Sequence, residues 1–317
     1  MSYKYGLLKS SGSNLGDDIQ SVVIKSMLPN VDFYLDYDFL GDAKLDTEVK
    51  LIVHGCCRPK KWPPALAIKP LFVSFSIGDT AVKKLTSEAS IRYLKRHEPI
   101  GCRDMVTLKL LKENGVEAYF SGCVTFMLGN NLNRRRDGVV IADLDDEAMR
   151  YIPSGLLKGA IILHHGEGIP IERIANRLYR YSPVLHGILK VSRLHMALSN
   201  LQQKFVMARE NEQIILQRLG RAEELINKYA NAKLVVTSRL HAALPCIALG
   251  TPVIFVHRDL SDPRFAGILD YMRAYTVGQF KRVGWGIDLD NPEPNPRSIE
   301  ELRNGLLQRC REFIKGG

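Results

Sequence analysis

What the chain lacks narrows it first. No stretch approaches the roughly 20 apolar residues of a membrane-spanning helix, and the opening MSYKYGLLKSSGS has no apolar run of signal-peptide length, so a cytoplasmic location is expected. Cysteine is sparse and irregular. Six residues, including the adjacent Cys56 and Cys57, form no C-x-x-C pair, which argues against a disulfide framework and a structural zinc site. His54-Gly55-Cys56-Cys57 has no second ligand pair at usable spacing, so no metal site is expected. The G-x-G-x-x-G and G-K-[ST] phosphate loops are missing, as are a zinc finger and an RNP-type aromatic motif. Acidic residues are outnumbered, 34 Asp plus Glu against 44 Lys plus Arg. The net charge of +10 favours an acidic partner: a phosphorylated donor, a lipid-diphosphate-linked sugar, an anionic membrane surface or nucleic acid. Charge does not choose among these. Only residues 134–136 form a dense basic run, so nothing specific supports nucleic acid.

What is present is strand and helix in alternation over 317 residues, enough for two domains with their own cores. Residues 233–256, KLVVTSRLHAALPCIALGTPVIFV, carry the densest signal. Residues 233–237 read as a buried strand, Ser238 as an N-cap, residues 239–249 as a helix stopped by Gly250, and residues 253–256 as a second strand. The first amides of a helix lack partners and sit at its positive end, so this strand-to-helix turn suits an anion. Arg239 and His241 lie in that turn and add a two-pronged donor and a titratable one. Pro245 cannot donate to the carbonyl of His241 and is expected to kink the helix beside the site.

Upstream, residues 5–8 predict a strand, residues 10–14 a polar loop, and a helix starts near Gly16. Asp17 and Asp18 fall in its first turn. Carboxylates there repel phosphate and suit a sugar hydroxyl, or serve only the helix dipole. Residues 50–53 and 71–75 predict strands whose ends, at Gly55 and residues 76–78, are plausible pocket walls. Residues 87–95 predict a helix. A short strand over 99–103 leads to Arg103-Asp104, with Asp104 capping a helix whose Met105, Leu108 and Leu111 face the sheet. Arg103 either meets an anion or serves structure beside Asp104.

Residues 130–138 read as an interdomain linker before a strand over 139–142, and a strand over 159–163 ends at His164-His165-Gly166-Glu167. Either histidine could face a cleft. Residues 171–224 are helix-prone, with a break at Ser182-Pro183. They contain a second Ser-Arg-Leu-His at residues 192–195, inside a helical stretch and without the following strand, so it is not read as a second site. Leu219, Ala222, Leu225, Ile226 and Tyr229 recur at helical spacing. His257 and Arg264 are second-tier anion candidates, Trp285 lies in a Gly-rich turn, and the helix over 298–314 is expected to dock on the body of the protein.

Residues 223–255, EELINKYANAKLVVTSRLHAALPCIALGTPVIF, resemble the C-terminal core of the polysaccharide pyruvyl transferase family, with its S-R-[LI]-H turn and G-x-P-V strand. Residues 12–20, GSNLGDDIQ, resemble its N-x-G-D loop, and residues 101–123 its R-D and G-C elements. The resemblance implies an α/β protein of two Rossmann-like, doubly wound domains facing a cleft in a GT-B-like arrangement. The expected divisions are residues 1–133 on the acceptor side, 134–290 on the donor side, and a docking helix within 291–317. It also implies transfer of a pyruvyl group from phosphoenolpyruvate to two hydroxyls of a saccharide, lipid-linked or not, as a ketal, with no cofactor besides that donor and no metal.

Carried residue by residue, the resemblance makes Arg239, Ser238, Leu240, Arg103, Asn14 and Gly16 substrate-binding candidates, and Arg264 joins them from the charged loop beyond the strand over 253–256. His241 is first choice for phosphate contact or acid, while Asp17 and His164 or His165 would orient or deprotonate the acceptor. A nucleotide-sugar glycosyltransferase on the same architecture is the alternative, since a diphosphate also needs Arg and helix amides. A non-enzymatic polyanion-binding protein is a third reading, and peripheral contact with an anionic membrane surface stays open.

Overall fold

Two all-parallel sheets organise the chain. The computed structural model describes residues 3–10, 12–129, 137–166, 212–283, 286, 288 and 291–316. Strands β1 (Lys4–Lys9), β2 (Phe33–Asp36), β3 (Val49–Cys57), β4 (Ile68–Ile77), β5 (Ile100–Cys102) and β6 (Ala118–Phe120) form the first sheet in the order β2-β1-β3-β4-β5-β6. Strands β7 (Val139–Ala142), β8 (Ile161–Leu163), β9 (Leu234–Thr237), β10 (Val253–His257) and β11 (Arg273–Thr276) form the second, ordered β11-β10-β9-β7-β8. All neighbouring pairs run parallel. Counted within its own sheet, each half begins 2-1-3-4-5, so the winding reverses between its first and third strands. Such a reversal opens a crevice at the strands' carboxyl ends, where ligands bind in open α/β sheets.

The helices are α1 (Leu15–Lys25), α2 (Val82–Leu85), α3 (Glu88–Lys95), α4 (Met105–Glu113), α5 (Asp146–Met149), α6 (Ser154–Gly159), α7 (Glu212–Asn231), α8 (Leu240–Ala248), α9 (Val277–Val283) and α10 (Glu300–Lys315). Alternation along the strands gives each sheet two buried faces. In the first sheet Leu7, Ile52 and Val73 lie in one core, and Leu8, Leu51, Val53 and Phe72 in another. In the second, Val140, Val235 and Phe255 join the same core as Leu7 and Val73, while Val139, Ile141, Val236 and Ile254 form a third. The shared core is filled by Ile19 and Val23 of α1, Leu219 and Tyr229 of α7, Ala243 and Ile247 of α8, and Leu306 and Cys310 of α10. Each large apolar side chain buried there contributes about 1.5–3 kcal/mol, before the cost of ordering the chain.

Helix α10 returns from the second half to the first. Tyr5 Oη donates to Ile314 O at 3.1 Å, and Lys50 Nζ donates to Phe313 O at 2.8 Å and also to Gly316 O. Arg303 bridges the halves: Nε donates to Phe126 O at 2.9 Å and Nη2 to Ala248 O at 2.6 Å, satisfying a carbonyl at the end of α8.

Several local expectations are corrected. Strand β3 runs on through Gly55, which takes φ +86°, and its register with β4 shifts between Val53 and Gly55 instead of ending there. The segment expected as one strand over 159–163 is the end of α6 followed by β8. Leu108 and Leu111 are buried as expected, but Met105 is exposed. Ser238 is not the cap of α8. Arg239 holds that position in extended conformation, with no side-chain cap bond, because the Ser238 hydroxyl donates to Val256 O at 2.5 Å and accepts from Asp145 N at 2.9 Å. Helix α8 is continuous over Leu240–Ala248 with Pro245 inside it. The basic run at 134–136, most of the helix-prone stretch, the second Ser-Arg-Leu-His and Trp285 lie outside the described residues.

Candidate functional site

A cavity of about 250 Å³ lies where the carboxyl ends of the two sheets meet. The first half contributes Asn14 and Asp17 from the start of α1, Cys56 and Arg58 from the end of β3, and Arg103 from the end of β5. The second half contributes His165 after β8, residues 238–241 at the start of α8, and His257, Arg264 and Phe265 at and beyond the end of β10. The amino-terminal ends of α1 and α8 therefore meet at one cavity, and both favour negative charge.

Helix α1 is started by Asn14, whose side-chain oxygen accepts from Gly16 N at 3.2 Å. The same segment is pinned to the second half, with Leu15 N donating to His165 O at 2.9 Å and Asn14 bridging Gly166. Gly16 is buried under His241. It is a spacer between the halves, and its side-chain position is closed to substrate. Asp18, one of the two carboxylates at the start of α1, does not line the cavity. It pairs with Arg218 of α7, Nη2 to Oδ2 at 2.6 Å. Asp17 does line it. Burial pushes its carboxyl above the usual carboxylate range, while Arg103, Arg218 and Arg58 pull the other way.

Arg103 is 2% exposed. Its Nη2 donates to Ser76 Oγ at 2.8 Å, and among the described residues its Nε has no hydrogen-bond partner and the guanidinium no ion-pair partner. A buried guanidinium without a paired carboxylate is costly unless an anion faces it. Arg264 is held by Asp262 through Nε at 2.9 Å and Nη2 at 2.5 Å. His257 Nδ1 contacts Asp259 O at 2.7 Å. Leu240 and Ser238 are half-buried cavity walls.

Asp143 has no place in the expected residue set, yet it organises this edge. It follows β7 with φ +41°, a conformation rare for a residue with a side chain. Its Oδ2 accepts from His165 N at 2.9 Å and from Arg239 Nε at 3.1 Å, and its Oδ1 contacts His164 Nδ1 at 2.9 Å. Burial works to raise its pKa, but the bonds from His165 N–H, His164 and Arg239 together hold it below the ordinary value. With Nε so engaged, the two Nη nitrogens of Arg239 make no hydrogen bond among the described residues and remain available to a planar anion.

The two histidines after β8 have separate places. His164 is exposed and does not line the cavity; His165 is buried, lines it, and has Nε2 2.5 Å from Tyr229 Oη. Burial lowers the His165 pKa to about 4, against the opposing charge of Asp143. His241 lines the cavity with Nε2 unpartnered among the described residues. Burial, then Arg103, keeps it well below the ordinary imidazole value, so the ring is neutral near pH 7. Among the described residues, no group of three or more His, Cys, Asp and Glu is arranged to hold a metal, and no helix is long and apolar enough to cross a membrane.

Two doubly wound α/β halves whose helix starts and arginines surround one cleft are consistent with a GT-B-like arrangement. The sequence profile of the polysaccharide pyruvyl transferase family matches residues 14–259, and the chain belongs to that family. Membership makes it a transferase family protein with a polysaccharide acceptor. No curated protein matches the chain. Among solved structures, a functionally uncharacterized protein from Klebsiella pneumoniae is similar at 13% identity and a TM-score of 0.45, over 87% of this chain and 92% of that one.

Asp143 and Arg58 were invisible to motif reading for different reasons. Asp143 sits in the unremarked run ADLDD and gains meaning only from partners at 164, 165 and 239. Arg58 opens the Pro-rich loop after β3, and nothing in that loop's composition marks it as a cavity wall.

Proposed function

We propose that the protein transfers the pyruvyl group of phosphoenolpyruvate to two hydroxyls of a saccharide, forming a cyclic ketal. The observation that carries this reading is Arg103: a buried cation without an ion-pair partner among the described residues, lining a cavity that Arg58, Arg239 and Arg264 also line. A small ligand bearing both phosphate and carboxylate suits such convergent donors.

The chemistry assigns the remaining residues. A proton delivered to the enol methylene leaves a cation-like carbon, and a saccharide hydroxyl attacks that carbon while its own proton passes to a base. The carbon–oxygen bond to phosphate then breaks, phosphate departs with the electron pair, and the second hydroxyl attacks the same carbon to close the ring, its proton passing to the departed phosphate. Asp17 is placed to exchange these protons, because its raised pKa keeps a protonated fraction at higher pH than an ordinary aspartate. His241, held neutral by burial and by Arg103, suits a hydrogen bond to phosphate better than a stored proton. Asn14 and His165 line the side of the cavity nearest α1, where they can orient the acceptor.

The test is incubation with phosphoenolpyruvate and a panel of hexosides, reading phosphate release and the ketal methyl proton signal. Turnover with any hexoside supports the reading. Thermal stabilisation by a nucleoside diphosphate and none by phosphoenolpyruvate would replace it with glycosyl transfer.

A further inference from the structure

A second cavity, of about 230 Å³, opens at the winding reversal of the first sheet, between the ends of β1 and β3. Cys56 stands on the wall that this space shares with the cationic cavity. The register shift at Gly55 sets it there, by carrying β3 two residues further. The neighbouring Cys57 takes the other face of the strand and is 1% exposed, in the core with Leu8, Val53 and Phe72.

The six cysteines are free and fall into two kinds: Cys56 is half-buried at the cavities, and the other five are buried in the apolar cores. Burial pushes the Cys102 and Cys310 thiols up to about 12 and raises Cys57 and Cys123 as well, so these four stay protonated and inert near pH 7. The surroundings of Cys56 differ in charge. Arg58, Arg103, Arg239 and Arg264 line the cationic cavity with it, against Asp17. On its other side Lys9 and Arg58 balance Asp17 and Asp38. The bond to Asp262 raises the Arg264 pKa most, and Cys56 adds to the rise, which places the sulfur within electrostatic reach of that guanidinium.

Arg103 is the independent sign that an anion belongs in this space: it is 2% exposed, with no carboxylate partner among the described residues. A partly exposed thiol among cations is the usual setting of a reactive cysteine. Cys57 faces the opposite core, so oxidation of Cys56 has to be completed by a sulfur from solution. The cations select which one, since they concentrate negatively charged reagents at the cavity.

We propose that Cys56 is a modification site that exchanges with the disulfide of an acidic thiol peptide, and that the adduct, seated in the cationic cavity, shuts out the donor. The Cys56 thiolate attacks one sulfur of the incoming disulfide and that S–S bond breaks. The other sulfur leaves with the electron pair as a thiolate and takes a proton from solvent. Cys56 is thereby oxidised to a mixed disulfide while half of the reagent is reduced to its thiol. Exclusion of the donor rests on the pyruvyl transfer reading; the modification of Cys56 does not.

The test compares oxidised glutathione, an anionic disulfide, with cystamine, a cationic one, on the native protein. Intact-protein mass spectrometry reads the adduct and peptide mapping its position. A thiolate in open solvent attracts the cationic reagent and repels the anionic one. At Cys56 that order should invert, with the glutathione adduct forming about tenfold faster or more. The preference should shrink at about 1 M salt, where the screening length is ~3 Å. Cys56→Ser should take no adduct. The glutathione adduct should lose thermal stabilisation by phosphoenolpyruvate and regain it with dithiothreitol, whereas Cys56→Ser should respond to phosphoenolpyruvate equally before and after exposure. No adduct at Cys56, or cystamine reacting as fast as glutathione, overturns the modification site. An adduct that phosphoenolpyruvate still stabilises overturns the exclusion of donor. An adduct with the expected preference, on a protein that phosphoenolpyruvate never stabilises, keeps the site and removes the donor reading. Stabilisation by phosphoenolpyruvate with no adduct at Cys56 does the reverse.

Discussion

His241 occupies the space in which a side chain on Gly16 would begin. A Cβ at Gly16 would stand 2.8 Å from His241 Cβ and 2.9 Å from its Nδ1. Gly16→Ala is expected to push the imidazole out of line and destabilise the protein by about 1–3 kcal/mol, the usual cost of overpacking. Thermal denaturation with steady-state phosphate release would show both losses. An unchanged turnover would mean His241 moves without consequence.

Arg239→Ala and His241→Ala are expected to abolish phosphate release while the thermal transition stays near that of the parent. Asp143→Asn keeps the side chain's shape and tolerates φ +41°, but it removes the charge that holds Arg239 Nε. Its expected effect is a KM for phosphoenolpyruvate raised about tenfold, reflecting lost pre-organisation rather than lost contact. Steady-state kinetics with a variable donor check this, and an unaltered KM would show that Asp143 does not orient Arg239.

Buried neutral histidines should dominate acid sensitivity. From the ordinary imidazole value of 6.5, the unfolded chain takes up protons that the folded chain refuses until about pH 4 for His165 and about pH 3 for His54. Stability from this source is full above 6.5 and falls as pH drops through that window. The fall approaches about 1.4 kcal/mol per pH unit for each histidine. Asp17, with its raised pKa, acts in the opposite sense just above the ordinary carboxylate value, because the folded form keeps its proton longer. Urea unfolding between pH 4.5 and 7 should show the decline, and His54→Gln should flatten it.

Arg303 should behave as a clamp. Its side chain, 11% exposed, donates to carbonyls of both halves, so Arg303→Ala leaves Phe126 O and Ala248 O short of a donor. A loss of about 2–4 kcal/mol is expected from two charge-assisted bonds. Chemical denaturation measures it, and Arg303→Lys should recover only part, since one ammonium cannot reproduce the fork.

The strands and the Ser-Arg-Leu-His turn were legible because burial on both faces writes itself as short apolar runs such as VVIA and LVVT. The turn's meaning was partly misread. Ser238 looks like a cap from its place before the helix, but its hydroxyl is claimed by Val256 O and Asp145 N, partners no local pattern reveals. Asp18 and Asp17 are indistinguishable as neighbours in a first turn. One turns to Arg218 and the other to the cavity, a split set by helical geometry and a residue 200 positions away. Gly55 reads as a strand end from composition, yet its φ +86° lets β3 continue and places Cys56 on the wall between two cavities.

Val73 of the first sheet and Phe255 of the second belong to one continuous apolar body. Jaw-like opening of the cleft would wet that body at about 25 cal/mol for every Å² uncovered, a penalty that grows with each degree of swing. Substrates should therefore enter a slot of nearly constant width, with adjustment left to arginine and histidine rotamers. For the same reason neither lobe is a portable module: a chain severed at residue 133 would leave two fragments, each with a raw oily flank and no partner to cover it.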